Sequence, residues 1–168
     1  HNSETLVLHN DSVINVYLNT LEELLDIVEK AELKAIFLLR IRPESISTEY
    51  LLTKFCKKFQ NDTNILAIDI FNEPLYFDTP EKSKEEAFKI VNRWKQIIET
   101  YAPNHLVTIG LAGIREVFRW DPNILNVDFI SYHPYEYEPD QVRNEIYWYG
   151  KYTEKPWIIG ETAIPADN

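Results

Sequence analysis

The chain has 168 residues and a formal net charge of −10, and 45% of its residues are hydrophobic. This length favours a single domain, and this much apolar material can build a core, so an intrinsically disordered chain is excluded. No dense cluster of Lys and Arg is present, which argues against a nucleic-acid partner, and no run of about 18 apolar residues is present, which argues against a membrane span.

Some residue types are informative because they are rare. The sequence contains no Met and begins with His1, so we expect a processed or excised part of a longer product, and no signal peptide is visible. Cys56 is the only cysteine, which excludes an internal disulfide and metal sites built on cysteine pairs. The 4 histidines lack paired ligand spacing and no Gly-rich phosphate loop is present, so we predict no metal and no cofactor.

Five short apolar runs, rich in β-branched and aromatic residues, are typical of strands buried on both faces of a parallel sheet. In chain order they are Ala35–Ile41, Ile65–Phe71, His105–Gly110, Val127–Tyr132 and Trp157–Gly160. Asp69 and Asp128 fall within these runs, where we expect them to make structural hydrogen bonds.

Helical patterns separate the strands. Thr20 with Glu23 resembles a capping box and predicts a helix start, followed by an apolar face that reaches Leu33. Further helices are predicted over Tyr50–Phe59, about Glu81–Tyr101 and about Asp140–Tyr152. Because strand and helix alternate, we predict an α/β fold with right-handed crossovers.

The segment Ile70–Pro74 ends a predicted strand with an acid. Catalytic groups of α/β sheets and barrels project from the carboxyl ends of strands, and Asn72 and Glu73 occupy that position. Pro74 ends the strand because it has no backbone N–H to donate. A solvated glutamate in a turn is the alternative, and this motif alone does not decide between them.

Two later strands carry related features. Glu161 follows the last predicted strand, and Gly160 before it lets another group approach closely. His133 and Tyr135 follow the preceding strand and are two residues apart, so both can point to the same side of an extended chain. Taken singly, each of these side chains is more often solvated or structural than functional.

Taken together, the two acids predict a reaction. Carboxyl groups at the ends of different strands of one barrel can face each other across its mouth, and glycoside hydrolysis needs such a pair. One carboxyl group is protonated and helps the leaving oxygen depart, while the ionised one attacks the anomeric carbon. A separation of about 5 Å predicts retention of configuration, whereas a wider gap admits a water and predicts inversion.

These segments resemble clan A glycoside hydrolases, most of all family 5, the cellulase and mannanase family. That family has Asn-Glu-Pro at the end of barrel strand 4, His-x-Tyr at strand 6 and Gly-Glu at strand 7, and these motifs occur here in that order. The resemblance spans about Leu21 to Ile164. It implies one (β/α)8 barrel domain over residues 1–168, incomplete, with about strands 3 to 7 visible.

The resemblance also implies an activity and residue roles. It implies a retaining enzyme that cleaves a β-linked polysaccharide or oligosaccharide by double displacement, in an extracellular or periplasmic setting. Glu73 would be the acid/base and Glu161 the nucleophile. Asn72 would bond the sugar 2-hydroxyl, Tyr135 would orient the nucleophile, and His133 would line the subsite beside the cleaved bond.

This sequence departs from the family pattern in places. Arg40–Pro43 replaces the usual Asp-x-His at the end of strand 3, and neither the Arg of strand 2 nor the Trp of strand 8 is recognisable. Tyr76, Phe77, Trp120 and Tyr137 are predicted on loops of the catalytic face as candidate sugar platforms. We predict that Trp94, Trp148 and Trp157 pack in the core or against helices.

Two other functions stay open. A non-catalytic barrel relic that binds carbohydrate is suggested by the absence of recognisable first and last strands. Another barrel enzyme, such as an aldolase, would need a reactive Lys on a strand, and the predicted strands offer only Lys34 at an edge. The sequence does not determine the sugar, the linkage, internal or terminal cleavage, or the oligomeric state.

Overall fold

A computed structural model describes residues 11–38, 46–74 and 83–162. Within these ranges helices and strands alternate. The strands are β1 (Ala35–Leu38), β2 (Ile65–Asn72), β3 (Leu106–Ala112), β4 (Phe129–His133) and β5 (Trp157–Ile159). The helices are α1 (Asp11–Lys30), α2 (Ile46–Phe59), α3 (Lys84–Tyr101), α4 (Gly113–Trp120) and α5 (Pro139–Tyr152).

The strands form one sheet whose order follows the chain from β1 to β5, and every neighbouring pair is parallel. A doubly wound sheet reverses its order at a switch point, whereas consecutive units of a (β/α)8 barrel do not. The sheet is therefore an arc of such a barrel, and the prediction of an α/β fold with a partial (β/α)8 barrel is confirmed.

The central strands are buried on both faces, as their continuous apolar sequences predict. In β3, Val107, Ile109 and Leu111 have no exposed surface. The outer strands are more open, with Leu38 of β1 and Ile159 of β5 each 40% exposed. Burying each large apolar side chain contributes roughly 1.5–3 kcal/mol, so most of the sheet's stabilisation comes from β2, β3 and β4.

Helix α3 begins at a capping box and packs on the sheet. The hydroxyl of Ser83 accepts a hydrogen bond from the Glu86 backbone N–H at 3.2 Å, and the Glu86 carboxylate accepts one from the Ser83 N–H at 2.8 Å. This reciprocal capping box begins the helix at Lys84 rather than at the predicted Glu81. The buried face of α3 then packs on the sheet, where Trp94 stacks on Phe71 with ring centroids 4.9 Å apart.

The structure corrects the predicted start of the first helix. Helix α1 begins at Asp11, nine residues before Thr20, and its buried residues include Ile14 and Leu18. The Thr20 hydroxyl donates to the Val16 carbonyl at 3.1 Å, one turn earlier, as hydroxyls do inside helices. The capping box at Thr20 was therefore a wrong prediction.

Two further differences concern aromatic residues. Helix α4 follows β3 directly and was not predicted, because Gly113 at φ +61° turns the chain from strand into helix within one residue. Trp120 thus ends a helix instead of lying on a loop.

The other three tryptophans were predicted to pack in the core or against helices. Trp94 is buried and Trp157 packs against the core as predicted, whereas Trp148 is 55% exposed.

None of the helices in the described ranges combines the length and the apolar character needed to cross a membrane.

The capping box of α3 gives a stability prediction. Ser83→Ala removes the acceptor for the Glu86 N–H and should lower the free energy of unfolding by about 1 kcal/mol, measured by urea denaturation. Ser83→Thr keeps a hydroxyl acceptor and should lose less than half of that. Equal losses in the two variants would contradict the capping role.

Candidate active site

Polar residues that are far apart along the chain meet at one edge of the sheet. Asn72 ends β2 and Glu73 follows it, His133 ends β4, and Glu161 comes two residues after β5. Since all five strands are parallel, their carboxyl ends lie along the same edge, where (β/α)8 barrels carry their active sites.

Glu73 is held in an unusual backbone conformation. Its φ is +47°, a left-handed value that costs a non-glycine residue of order 1–3 kcal/mol. The register of β2 against β3 shifts just before it, between Asp69 and Asn72, and the Glu73 N–H donates to the Gly110 carbonyl at 3.0 Å. A bulge of this kind redirects a side chain, and the Glu73 side chain ends up almost fully buried.

His133 links the two acids. Its Nδ1 lies 2.9 Å from Oε1 of Glu73 and 3.8 Å from Oε2 of Glu161. One potential metal-ligating atom from each of the three residues lies within 4.8 Å of the other two. The structure therefore brings Glu73, His133 and Glu161 together, as the pairing of strand ends predicted.

Glu161 accepts a hydrogen bond from a different residue. The Tyr135 hydroxyl donates to Oε2 of Glu161 at 2.5 Å. This hydrogen bond to the carboxylate, with a smaller effect of burial, raises the pKa of Tyr135 to about 12. Tyr135 therefore keeps its proton at physiological pH and remains a hydrogen-bond donor to Glu161.

Two glycines make room for His133. A Cβ at Gly110 of β3 would lie 2.6 Å from Cε1 of the imidazole, closer than real Cβ atoms approach. A Cβ at Gly160 would lie 1.9 Å from Oγ of Ser131 and 3.3 Å from Nε2 of His133. The predicted close approach at Gly160 is thus made by Ser131. Gly110 and Ser131 were not singled out from the sequence, because only the strand pairing brings them beside His133.

Asn72 presents an unused acceptor. Its Oδ1 is buried and has no hydrogen-bond partner among the described residues. A buried polar atom without a partner costs about 1–3 kcal/mol, so Asn72 contributes an unsatisfied acceptor at the end of β2, next in the chain to Glu73.

Asp69 lies deeper in the same strand. Its Oδ1 accepts a hydrogen bond from the Phe71 N–H at 3.2 Å, the structural role that the sequence predicted. Burial raises the pKa of Asp69 to about 7 against the opposing effect of its backbone hydrogen bonds to Phe71 and Gly110, and the negative charge of Glu161 adds to the rise. Asp128 precedes β4 and has a similar structural role, since it accepts from the Val107 N–H and from Nζ of Lys95, both at 2.7 Å.

The structure places the aromatic residues that were predicted to stack on a sugar in different environments. Trp120 is 2% exposed and packs edge-on against Phe71, with ring centroids 5.2 Å apart. It offers no open ring face to a sugar, so its assignment as a platform is corrected to core packing. Tyr137 is 57% exposed on the loop after β4. Tyr76, Phe77 and Arg40–Pro43 lie outside the described residues.

The same three residues are the place where a metal would fit, if one binds in the described part of the chain. Glu73, His133 and Glu161 are the one group there with three potential ligand atoms in mutual reach. Nδ1 of His133 is already hydrogen-bonded to Glu73, so a metal would have to displace that contact. The expectation that the chain uses no metal or cofactor stays a prediction.

Comparisons with known proteins give structural matches only. No protein-family profile matches the sequence, and no curated protein sequence does. Bacteroides uniformis β-glucuronidase 2, covalently bound to cyclophellitol-6-carboxylate aziridine, matches with TM-score 0.68 at 14% identity, over 86% of this chain and 20% of that one. The β-1,4-mannanase of the sea hare Aplysia kurodai matches with TM-score 0.60 at 16% identity, over 86% and 59% of the two chains.

A third match is the β-mannanase of the blue mussel Mytilus edulis, with TM-score 0.61 at 16% identity, over 85% of this chain and 58% of that one. The fold is that of a partial (β/α)8 barrel. At these identities the likeness establishes the fold alone. The chain spans one fifth of the length of the β-glucuronidase and less than two thirds of each mannanase.

The raised pKa of Asp69 predicts how stability depends on pH. The unfolded carboxyl group ionises near pH 4, whereas the folded one holds its proton until about pH 7. Between these values the unfolded state binds fewer protons, so this residue makes the free energy of unfolding fall by up to about 1.4 kcal/mol per pH unit.

Asp69→Asn keeps an acceptor for the Phe71 N–H but cannot ionise. Relative to the parent, this variant should therefore gain stability as the pH rises from 5 to 7, measured by urea denaturation at each pH. Asp26→Asn, at an exposed position of α1, is the matched control and should follow the parent. A stability difference for Asp69→Asn that does not change with pH would show that Asp69 is ionised in the folded protein throughout.

Proposed function

We propose that this chain is the catalytic part of a retaining glycoside hydrolase that cleaves a β-linked polysaccharide or oligosaccharide. The observation that carries the proposal is the approach of Glu73 and Glu161, whose nearest ligating oxygens lie within 4.8 Å of each other. Retaining enzymes hold their two carboxyl groups about 5–5.5 Å apart, whereas inverting enzymes need about 6.5–9.5 Å to admit a water between acid and base.

The environments of the two acids support different roles. Glu73 is 8% exposed and lies at the end of β2 in the Asn-Glu-Pro motif, the position of the proton donor in the family that the sequence resembles. The Glu161 side chain is 41% exposed and accepts a hydrogen bond from the Tyr135 hydroxyl, which holds one of its oxygens in place while the more open side chain can reach an anomeric carbon. We therefore assign Glu73 as the acid/base and Glu161 as the nucleophile.

The reaction then takes two steps. In the first, a carboxylate oxygen of Glu161 bonds to the anomeric carbon while Glu73 gives its proton to the departing glycosidic oxygen. In the second, Glu73 takes a proton from a water that attacks the same carbon, and the bond to Glu161 breaks. The two inversions leave the configuration unchanged.

The unpartnered Oδ1 of Asn72 supports a sugar at this edge of the sheet. The atom has almost no exposed surface, so in the proposed complex the Asn72 side chain turns toward the sugar and a ring hydroxyl donates to it. In the proposed site this is the 2-hydroxyl, whose hydrogen bonds strengthen in the transition state of glycoside hydrolysis.

The structural neighbours give independent support for the reaction class. Two of them are named β-mannanases, and the third is a β-glucuronidase covalently bound to cyclophellitol-6-carboxylate aziridine. Family 5 membership, a single catalytic domain over residues 1–168 and an extracellular or periplasmic setting remain proposals that rest on the sequence motifs. The strands in the described ranges contain no Lys, so they offer no amine for an aldolase-type Schiff base.

The nucleophile assignment predicts a chemical rescue. Glu161→Ala should lower kcat on an aryl β-glycoside by about 10⁴-fold or more, because no covalent intermediate can form. Sodium azide should restore turnover only for an activated leaving group such as 2,4-dinitrophenolate, and the product should be an α-glycosyl azide. Glu154→Ala, at an exposed acid just before β5, is the matched control and should retain full activity.

Undiminished hydrolysis by Glu161→Ala would refute the assignment. Oligosaccharide binding by calorimetry, with no release of reducing ends by the parent protein, would instead favour a carbohydrate-binding relic of a barrel.

The contact between Tyr135 and Glu161 predicts a smaller effect. Tyr135→Phe removes a hydrogen bond to a charged group, worth about 1.5–3 kcal/mol, and should lower kcat by roughly 10- to 100-fold with little change in KM. Tyr137→Phe, two residues along on the same loop, should change kcat less than twofold. An equal effect in the two variants would mean that the Tyr135 hydroxyl does not support the nucleophile.

A further inference from the structure

Ser131 lies behind the histidine that joins the two acids. It is 4% exposed, and its Oγ is 3.3 Å from Nε2 of His133. Ser131 and His133 are two residues apart on β4, so both point to the same side of the strand. Tyr132 between them stacks on Tyr149 of α5 at 3.8 Å, which places Ser131 and His133 on the face of β4 away from that helix.

The surroundings of this pair are shaped to hold it. The Cβ that any other residue would carry at position 160 falls 1.9 Å from Oγ of Ser131, and one at position 110 falls 2.6 Å from the imidazole of His133. Strand β3 and the segment after β5 therefore leave space for this serine and this ring by using glycine. A side chain at position 110 would meet the ring itself, and one at position 160 would meet the Ser131 hydroxyl.

Both ring nitrogens of His133 have partners of different kinds. Nδ1 faces carboxylate oxygens of Glu73 and Glu161, at 2.9 and 3.8 Å. An oxygen of a carboxylate accepts, and so does the unprotonated oxygen of a carboxyl group, so both neighbours favour a proton on Nδ1. A neutral imidazole then has an unprotonated Nε2, which needs a donor, and the Ser131 hydroxyl is the group within reach.

We propose that Ser131 is a positioning residue that donates to Nε2 of His133 and fixes the imidazole in its Nδ1–H form. This inference rests on the proposed function for its catalytic consequence. With Nδ1–H donating to Oε1 of Glu73, that oxygen is held as an acceptor. The other oxygen, Oε2, then carries the proton that Glu73 gives to the leaving group and later takes from water.

The charges around His133 are consistent with this arrangement. Glu73 follows β2 and Glu161 follows β5, while Asp69 of β2 is buried nearby and interacts with Glu161. Tyr135, on the loop after β4, donates to Glu161 and not to the imidazole. Only acids and hydroxyls therefore face the ring among these residues, and the tautomer that places N–H toward the acids is the favourable one.

The direct test is ¹⁵N NMR of the histidine side chains at pH 7.5, which distinguishes protonated from unprotonated ring nitrogens. The signals of His133 are assigned by their loss in His133→Gln. In the parent, Nδ1 should be protonated and Nε2 unprotonated. In Ser131→Ala, Nε2 loses its donor, and a fraction of the Nε2–H form should appear.

Thr108→Val is the matched control, because it removes another buried hydroxyl, one that donates to the Phe129 carbonyl at 2.9 Å. It should leave the His133 signals unchanged. A parent His133 protonated on Nε2, or identical His133 signals in the parent and Ser131→Ala, would overturn the proposal. This result stands whether or not the protein hydrolyses glycosides, so it separates the tautomer claim from the proposed function.

Kinetics test the catalytic consequence. Ser131→Ala should lower kcat about tenfold for a substrate with a poor leaving group, which needs the proton of Glu73, with KM unchanged. For 2,4-dinitrophenyl glycosides, which leave without a proton, glycosyl transfer to Glu161 should proceed at the parent rate in the pre-steady-state burst. Equal slowing for both leaving groups would show that Ser131 maintains the fold of the site and does not position the acid.

Discussion

The contact between the His133 imidazole and the two glutamates is the interaction on which the site depends. Two carboxylates this close repel each other when both are charged, which is a cost to the folded state. Donors reduce that penalty: Nδ1 of His133 contacts Glu73, and the Tyr135 hydroxyl contacts Glu161. Each acid therefore has its own hydrogen-bond donor at the edge of the sheet where the two meet.

The parallel strands of the barrel bring the two glutamates and His133 to one edge of the sheet, and local backbone features set the distances between them. Parallel strands deliver the ends of β2, β4 and β5 to a single edge, but the width of β3 and β4 still separates the two acids in the sheet order. The left-handed backbone of Glu73 and the absence of side chains at Gly110 and Gly160 let the imidazole fill the gap between them. A left-handed residue and a glycine each lower the stability of a strand. Here they leave the space in which the imidazole lies between the two acids.

The neighbours show how far a fold can inform function. A β-glucuronidase and two β-mannanases share this arc of the barrel at 14–16% identity, and their names specify different sugars. The strands and helices that superpose provide the frame, while substrate choice in (β/α)8 barrels resides in loops that vary independently of it. The likeness therefore establishes the arc of the barrel and does not select a sugar.

The sequence alone was enough for the alternation of strands and helices and for the acids at strand ends, because continuous apolar runs bounded by polar residues reflect burial on both faces. Prediction from the sequence was wrong where tertiary packing, and not a local sequence pattern, sets the bounds of an element. The start of α1 depends on Ile14 and Leu18 packing into the core, and α4 depends on a one-residue turn at Gly113. The prediction of Trp120 on a loop was wrong, because the sequence does not show whether an aromatic side chain packs in the core or faces a ligand.

What the sequence determined by itself was the chemistry available: two glutamates, a histidine and a tyrosine, each placed after a buried strand. What only the tertiary structure decided was their distances, the empty acceptor of Asn72 and the role of Ser131 behind the imidazole. These depend on strand register and on a shifted pairing in β2, and they join residues from separate parts of the chain. No local pattern can report a contact whose partners are brought together only when the sheet has formed.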